Sequence, residues 1–167
     1  NEELEKINTN AFKGCTNLES ITFNEGLSEI GVSAFYGCTG LTELKLNTGL
    51  ETLGASSFYG CTGLETIEFN EALETIGNSA FYGCTSLEEI EFNSGLKTIG
   101  ELVFYNCTGL KELTMPASAK IDNSSYTFYN CTNIEKVTLT KGTGIMPDYG
   151  TESDDDERFC SELCKKE

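Results

Sequence analysis

Cysteine is the residue of this sequence whose type and spacing most suggest chemistry, because a thiol can be a nucleophile, a metal ligand or half of a disulfide. Six of the eight cysteines follow one another at steps of 23 or 24 residues. These six are Cys15, Cys38, Cys61, Cys84, Cys107 and Cys131. The chain contains no histidine, so the commonest general base and the commonest metal ligand are both missing.

A constant step places these thiols in a line rather than around one point. Equivalent positions on stacked parallel strands point the same way with Cβ atoms about 5 Å apart, whereas a disulfide needs converging Cβ atoms at about 3.8 Å. A zinc ion needs four ligands around one centre. We therefore expect a column of buried, reduced cysteines, and the sequence predicts no enzyme activity, no catalytic residue, no metal site and no cofactor.

The remaining two cysteines, Cys160 and Cys164, lie outside this pattern in the stretch "CSELC". Their spacing fits a local disulfide within a C-terminal cap. Free thiols and pairing with residues beyond this sequence are the alternatives, and two sulfur atoms alone make a poor metal site.

The cysteine column belongs to a repeat that covers most of the chain. It reads L-x-x-I-x-F-N-x-G-L-x-x-I-G-x-x-A-F-Y-G-C-T-x, with six copies, some partial, between residue 4 and about residue 140. Each copy contains a stretch such as "LETIEF", in which inward apolar residues alternate with polar ones as in a strand with one buried face. One copy cannot bury that face alone, so the copies must stack.

Stacking predicts a β-rich repeat solenoid of the α/β type, built around a parallel sheet. A second apolar pair, as in "LETIG", predicts a short extended segment, and "SAFYGCT" predicts a helical or 3-10 turn on the convex side. The predicted domains are a solenoid over 1–140 and an acidic C-terminal cap or linker with a cysteine pair over 141–167.

The motif L..IG..AF.GCT.L..I.F resembles the BspA-like, or Treponema pallidum-type, leucine-rich repeat family. The resemblance implies a right-handed solenoid that is curved or gently twisted. It also implies an extracellular or cell-surface protein that acts in adhesion and protein binding without enzymatic activity. The family has no fixed site motif, so the resemblance assigns no functional residue.

Composition narrows the class of partner. The chain has 27 Asp and Glu against 11 Lys and Arg, a net charge of −16. This balance argues against nucleic acid and anionic membranes, which need clustered Lys and Arg, and favours basic partners or loose binding of divalent cations. No apolar run approaches the roughly 20 residues of a membrane helix, so direct membrane insertion is not predicted.

The outward residues of the predicted sheet form one candidate surface for a protein or glycan ligand. They are Glu43, Lys45, Thr66, Glu68, Glu89, Glu91, Glu112 and Thr114. Repeat proteins often bind partners on such a face, but this one has no aromatic anchor, and a merely solvated acidic face is the alternative. Glu68, Glu89 and Glu91 would attract a basic partner or Ca²⁺, although no EF-hand motif is present.

A column of tyrosines forms a second candidate surface. Tyr36, Tyr59, Tyr82, Tyr105 and Tyr129 each follow the core phenylalanine of their copy. Two adjacent side chains cannot both face the core, so we expect these rings at least partly outside and stacked about 5 Å apart. Mutual stacking that stiffens the convex side and a lateral contact surface for protein or glycan both fit the pattern.

Asparagine recurs at two kinds of position. Asn24, Asn47, Asn70 and Asn93 end the strands, and we expect their amides to bond the local backbone. Three glycosylation sequons begin at Asn106, Asn123 and Asn130. Asn106 and Asn130 replace glycines of other copies, and positive φ explains them without glycans; Asn123 is the best acceptor if the protein is secreted by a eukaryote.

Two functions therefore remain open. The first is a non-enzymatic extracellular or cell-surface module that binds protein or glycan in adhesion. The second is a structural subunit that stacks head to tail into an extracellular fibre. It is suggested by the opening stretch "LEKINTNAF", which already lies within a repeat and would present an unpaired strand edge.

Overall fold

The computed structural model describes residues 3–116 and 126–140. Within them, the chain winds as a solenoid in which every paired strand runs parallel to its neighbour. The step between paired strands is the repeat length, as in the partnership of Ile30 with Leu53. The predicted leucine-rich repeat solenoid is therefore confirmed.

The first sheet is built by the shorter apolar pair of each repeat. Its strands are β1 Lys6–Ile7, β2 Glu29–Ile30, β4 Thr52–Leu53, β6 Thr75–Ile76 and β8 Thr98–Ile99. They pair in that order, so the second residue of each strand falls into one buried column. The sequence predicted only a short extended segment here, and stacking turns it into a five-stranded sheet.

The second sheet is built by the longer alternating stretch. Its strands are β3 Glu43–Lys45, β5 Thr66–Glu68, β7 Glu89–Glu91, β9 Glu112–Pro116 and β10 Lys136–Thr140. In the three-residue strands the middle side chain is buried and its two neighbours are exposed. This is the alternation expected of a sheet with one face in the core.

The second sheet is interrupted between β5 and β7. Strand β3 pairs with β5, and β7 pairs with β9 and β10, but β5 and β7 are not joined as a ladder. On either side of the break, one more backbone hydrogen bond extends the ladder. The N–H of Leu46 donates to Glu68 O at 3.2 Å, and the N–H of Phe92 donates to Thr114 O at 2.9 Å. Among the described residues, the equivalent N–H of Phe69 makes no such bond.

The third side of each coil consists of separate hydrogen-bonded turns, and the described residues contain no helix. The N–H of Tyr36 bonds Ser33 O at 3.2 Å within the coil, whereas the N–H of Phe35 bonds Ser57 O of the next coil at 2.7 Å. Ser33 and Gly37 have φ of 53° and 70°. Single hydrogen-bonded turns therefore stand where the sequence predicted a helical or 3-10 turn, because alternate N–H groups bond the neighbouring coil.

The core between these three sides is a set of columns. Phe35, Phe58, Phe81 and Phe104 are completely buried, and their rings stack with centroids 5.0 to 5.4 Å apart. Burying one such side chain stabilises the fold by about 1.5–3 kcal/mol. Stability therefore comes from each coil covering the next, as expected for a repeat protein.

Candidate binding surfaces

The cysteine column is buried and reduced in all described coils except the first. Cys38, Cys61, Cys84, Cys107 and Cys131 are buried and free, whereas Cys15 is exposed. Each buried thiol donates to the carbonyl oxygen of the phenylalanine one coil earlier, with Sγ to O distances of 3.1 to 3.4 Å. Sequence reasoning predicted packing here but missed this hydrogen bond between coils.

Burial makes these thiols poor nucleophiles. Loss of solvent raises the pKa of Cys61 to about 12, and the neighbouring Cys38 adds to the increase. Burial likewise holds the pKa of Cys84 well above its ordinary value. Since the thiolate is the reactive form, these buried thiols are inert at neutral pH.

The asparagines that end the strands also bond between coils. The Nδ2 group of Asn47 donates to Leu27 O at 2.8 Å, and that of Asn93 donates to Leu73 O at 3.0 Å. The expectation that these amides bond the local backbone is therefore wrong. Asn47 and Asn93 are buried, and their Oδ1 atoms have no hydrogen-bond partner among the described residues.

The tyrosine column is a continuous stack along one side of the solenoid. Successive ring centroids lie 4.7, 4.6, 4.8 and 5.0 Å apart, from Tyr36 to Tyr129. The ammonium group of Lys13 lies 4.8 Å from the centroid of Tyr36, at the N-terminal end of the stack. Both faces of the rings of Tyr59, Tyr82 and Tyr105 are therefore covered by neighbouring rings.

Covered faces limit what the tyrosine column can bind. A sugar packs against the flat face of an aromatic ring, and in this stack the inner faces are occupied. The ring edges and hydroxyl groups remain available, with the side chains half-buried except for Tyr129, which is 41% exposed. The geometry thus favours a stiffening role, and a binding role for the column stays a prediction.

The outward residues of the second sheet stand in two columns along the solenoid. Glu43, Thr66, Glu89 and Glu112 form the first, and their register is fixed by the strand pairing within each half of the sheet. Lys45, Glu68, Glu91 and Thr114 form the second. All are exposed except Thr114, which is half-buried.

Lysines neutralise part of this face by pairing along the solenoid axis. Lys45 contacts Glu68 at 2.7 Å, and Lys136 contacts Glu112 at 2.7 Å, in each case across one coil. The carboxylate of Glu68 raises the pKa of Lys45. In the described part of the chain, Glu89 and Glu91 take part in no ion pair, so negative charge concentrates on β7.

Two clefts indent the same face. One, of about 390 Å³, lies at the break between β5 and β7 and is lined by residues 67–69, Glu71 and residues 91–93. The other, of about 350 Å³, lies at the equivalent place between the first coil and β3, with Phe23, Glu25, Lys45 and Asn47 in its lining. Sequence reasoning predicted neither cleft.

The remaining candidate residues are the sequon asparagines and the two C-terminal cysteines, and only Asn106 and Asn130 lie within the described residues. Asn106 and Asn130 have φ of 63° and 61°, as predicted from the glycines that they replace. The Nδ2 group of Asn130 donates to Asn106 Oδ1 at 2.6 Å, so the side-chain amides of these two sequons are hydrogen-bonded to each other. Asn123, Cys160, Cys164 and the segment 141–167 lie outside the described residues.

Two features are absent from the described residues, a metal cluster and a membrane-spanning helix. No group of three or more Cys, Asp or Glu side chains in this part of the chain is arranged to hold a metal ion. The described residues also contain no helix long and apolar enough to cross a bilayer.

Comparisons with solved structures identify similar solenoids from bacteria. A Treponema pallidum leucine-rich repeat protein is 28% identical, with a TM-score of 0.78 over 96% of this chain and 77% of that one. A leucine-rich cell surface protein of Faecalibacterium prausnitzii is 26% identical, with a TM-score of 0.68 over 81% of this chain and 35% of that one. The pneumococcal vaccine antigen PcpA is 34% identical, with a TM-score of 0.56 over 57% and 24%.

The family assignment follows from the sequence itself. No curated protein matches the chain. The BspA type leucine-rich repeat region family does match, in 6 copies, over residues 1–83 and 64–150. With the parallel coils and the columns of phenylalanine and cysteine already described, this match shows that the chain belongs to the BspA type leucine-rich repeat family.

Proposed function

We propose that this chain is the binding module of a non-enzymatic extracellular or cell-surface protein, and that it engages a protein ligand through the outward face of its second sheet. One observation carries the proposal: exposed side chains stand in register on that face, and the two β7 carboxylates, Glu89 and Glu91, belong to no ion pair among the described residues. A similar solenoid of known structure is described as a cell surface protein, which supports the location.

Two further observations support binding rather than catalysis. The chain has no histidine, and burial raises the pKa of the five buried thiols, which are Cys38, Cys61, Cys84, Cys107 and Cys131. The only reactive groups on the sheet face of the described residues are carboxylates, lysines and hydroxyls without an activating base. Such a surface suits recognition by charge and shape.

The test is a binding screen with matched variants. The purified protein is applied to arrays of purified extracellular proteins and of glycans. The face variant carries Glu89→Gln and Glu91→Gln, the control carries Glu51→Gln and Glu101→Gln with the same loss of charge elsewhere, and Tyr82→Leu interrupts the tyrosine column. We expect saturable binding to a protein that only the face variant loses.

Other outcomes of the screen assign the function differently. Loss of binding in Tyr82→Leu alone would transfer the site to the tyrosine column. Saturable binding to a glycan, with no protein bound, would replace the protein ligand. No saturable binding on either array would contradict the binding module.

Head-to-tail self-association into a fibre is the second candidate. The observation that favours it is the constant parallel register of the described coils, each of which covers the phenylalanine column of the next. A second copy that stacked in the same register on the coil of Phe12, which is 37% exposed, would continue this column, as in a heterologous interface.

Sedimentation velocity over a hundredfold range of concentration tests this candidate. Growth into long species that Phe12→Ser prevents would support the fibre. Exposed Val32→Ser, on the outside of the next coil, is the control because it removes an apolar side chain away from the stack. A single monomeric species throughout would contradict self-association.

A further inference from the structure

The break in the second sheet creates a cleft with an aromatic wall. Phe69, immediately after β5, is only half-buried, whereas the equivalent Phe92 of the next coil is 5% exposed. Their ring centroids lie 5.7 Å apart with the rings nearly parallel, and both residues line the cleft. An apolar surface is therefore accessible at a place where the ladder between neighbouring coils is missing.

Carboxylates surround this aromatic wall. Glu68, Glu71 and Glu91 line the same cleft, and all three are exposed. Glu68 is engaged by Lys45 of the preceding coil, while Glu71 and Glu91 belong to no ion pair among the described residues. The cleft therefore offers two uncompensated negative charges beside an aromatic ring.

We propose that the cleft between β5 and β7 binds an arginine side chain of a basic protein partner. The guanidinium group stacks on aromatic surface, carries five N–H donors and pairs with carboxylates, which matches the ring of Phe69 and the carboxylates of Glu71 and Glu91. A lysine ammonium group would satisfy the charge but lacks the planar surface and the extra donors. The proposal names the contact made by the protein ligand already proposed for this face, and so rests on that function.

The chain contains its own comparison site. The cleft between the first coil and β3 has the same position in the repeat, with Phe23 and Glu25 in place of Phe69 and Glu71. Lys45 occupies the position that Glu91 has in the other cleft. We therefore expect this second cleft not to bind a cation. Glu91→Lys should place a lysine at the same position of the proposed site without disturbing the fold.

The experiment titrates the peptide acetyl-Gly-Arg-Gly-amide into ¹⁵N-labelled protein and follows amide chemical shifts. The comparators are acetyl-Gly-Lys-Gly-amide and acetyl-Gly-citrulline-Gly-amide, the second being the neutral isostere of arginine. We expect saturable shifts confined to residues 67–71 and 91–93, weaker binding of the lysine peptide and none of the citrulline peptide. Loss of the Glu91 contact in Glu91→Lys should weaken the arginine peptide about tenfold.

The matched control is Glu51→Lys, because Lys97 occupies the equivalent position of another coil and the change in charge is the same. We expect this variant to bind the arginine peptide within about twofold of the parent. Equal weakening in both variants, or shifts spread along all acidic columns, would show diffuse attraction and overturn the proposal. If the arrays yield a protein ligand on the sheet face but the peptide does not bind this cleft, the arginine site is refuted and the proposed function is retained.

Discussion

The Sγ atom of Cys84 lies 3.4 Å from the carbonyl oxygen of Phe58, and the same oxygen accepts the backbone N–H of Cys61 at 3.2 Å. One carbonyl thus closes a turn in its own coil and receives a thiol from the next. The contact recurs with Phe35 and Phe81, so the cysteine column joins adjacent coils at every step. This explains a preference for cysteine over an apolar residue of similar size, since a buried apolar side chain could not donate.

Replacing Cys84 by alanine should lower the free energy of unfolding by about 1–3 kcal/mol. The change leaves a small cavity in a fully buried column and removes the donor to Phe58 O. Urea unfolding followed by circular dichroism measures the loss. Cys15→Ala, at an exposed thiol, should stay within about 0.5 kcal/mol of the parent. An equal cost at both positions would mean that the thiol contact does not matter.

The buried thiols should make the protein sensitive to alkali. In the unfolded chain a thiol loses its proton near pH 8.5, but burial raises the pKa of Cys61 and Cys131 to about 12 in the native state. The native state then holds more protons than the unfolded state above pH about 8.5, so stability falls as the pH rises towards 12. This contribution is fully present below pH about 8.5.

Urea unfolding at a series of pH values between 7 and 11 measures that decline. Cys61→Ala removes one titrating group and should flatten the pH dependence, although it lowers the absolute stability. A slope that is the same in the parent and in Cys61→Ala would assign the alkaline sensitivity to other groups.

Two glycines of neighbouring segments should respond differently to alanine. A Cβ atom on Gly54 would lie 2.7 Å from the backbone of Gly31 and of Val32, so Gly54→Ala must push two coils apart, at a cost of about 3 kcal/mol. Gly60 has φ of +68° and nothing within 4 Å of such a Cβ, so Gly60→Ala meets only backbone strain of about 1 kcal/mol.

Gly60→Asn provides the matched comparison. Asparagine adopts this conformation at Asn106, one of the equivalent positions, and should cost less than alanine at Gly60. Thermal unfolding of the three variants gives the order directly. A larger loss in Gly60→Ala than in Gly54→Ala would show that backbone conformation, and not the close approach of coils, governs these positions.

The columns of the core could be read from the sequence because a constant spacing forces equivalent residues to superpose. Phe81 and Cys84 keep the same distance in every copy, so their burial and stacking follow from the repeat alone. The direction of Tyr82 follows equally, since it is next to Phe81 and must turn outward. The repeat thus fixes the position of each residue around the coil.

The clefts and the hydrogen bonds between coils could not be predicted from the sequence in the same way. The stretch before Phe69 and the stretch before Phe92 have the same alternation, so neither signals that the ladder between them is broken. Whether two coils exchange ladder bonds depends on their relative displacement, which is a property of the pair. The partner of Asn47 lies 20 residues earlier, beyond the reach of a local turn motif.

Replacing Asn47 by aspartate tests whether these amides act as donors between coils. Asn47 donates from Nδ2 to Leu27 O at 2.8 Å, and an ionised carboxylate would instead place a negative charge against that carbonyl. We expect a loss of about 3 kcal/mol at pH 7, because a buried charge would be left without a donor. Burial would raise the pKa of the introduced carboxyl above its unfolded value of about 3.9. The protonated form can donate, so part of the loss should be recovered as the pH falls towards 4 and should reappear as the pH rises.

The control is Asn78→Asp, because Asn78 is exposed and uses its oxygen, accepting the N–H of Glu101 at 3.1 Å. A carboxylate preserves that bond, so this variant should remain within about 0.5 kcal/mol of the parent at both pH values. Urea unfolding at pH 4 and pH 7 compares the two. If Asn78→Asp loses as much as Asn47→Asp, the added negative charge of an already acidic chain is the cause, and the amide donors between coils contribute little to holding the solenoid together.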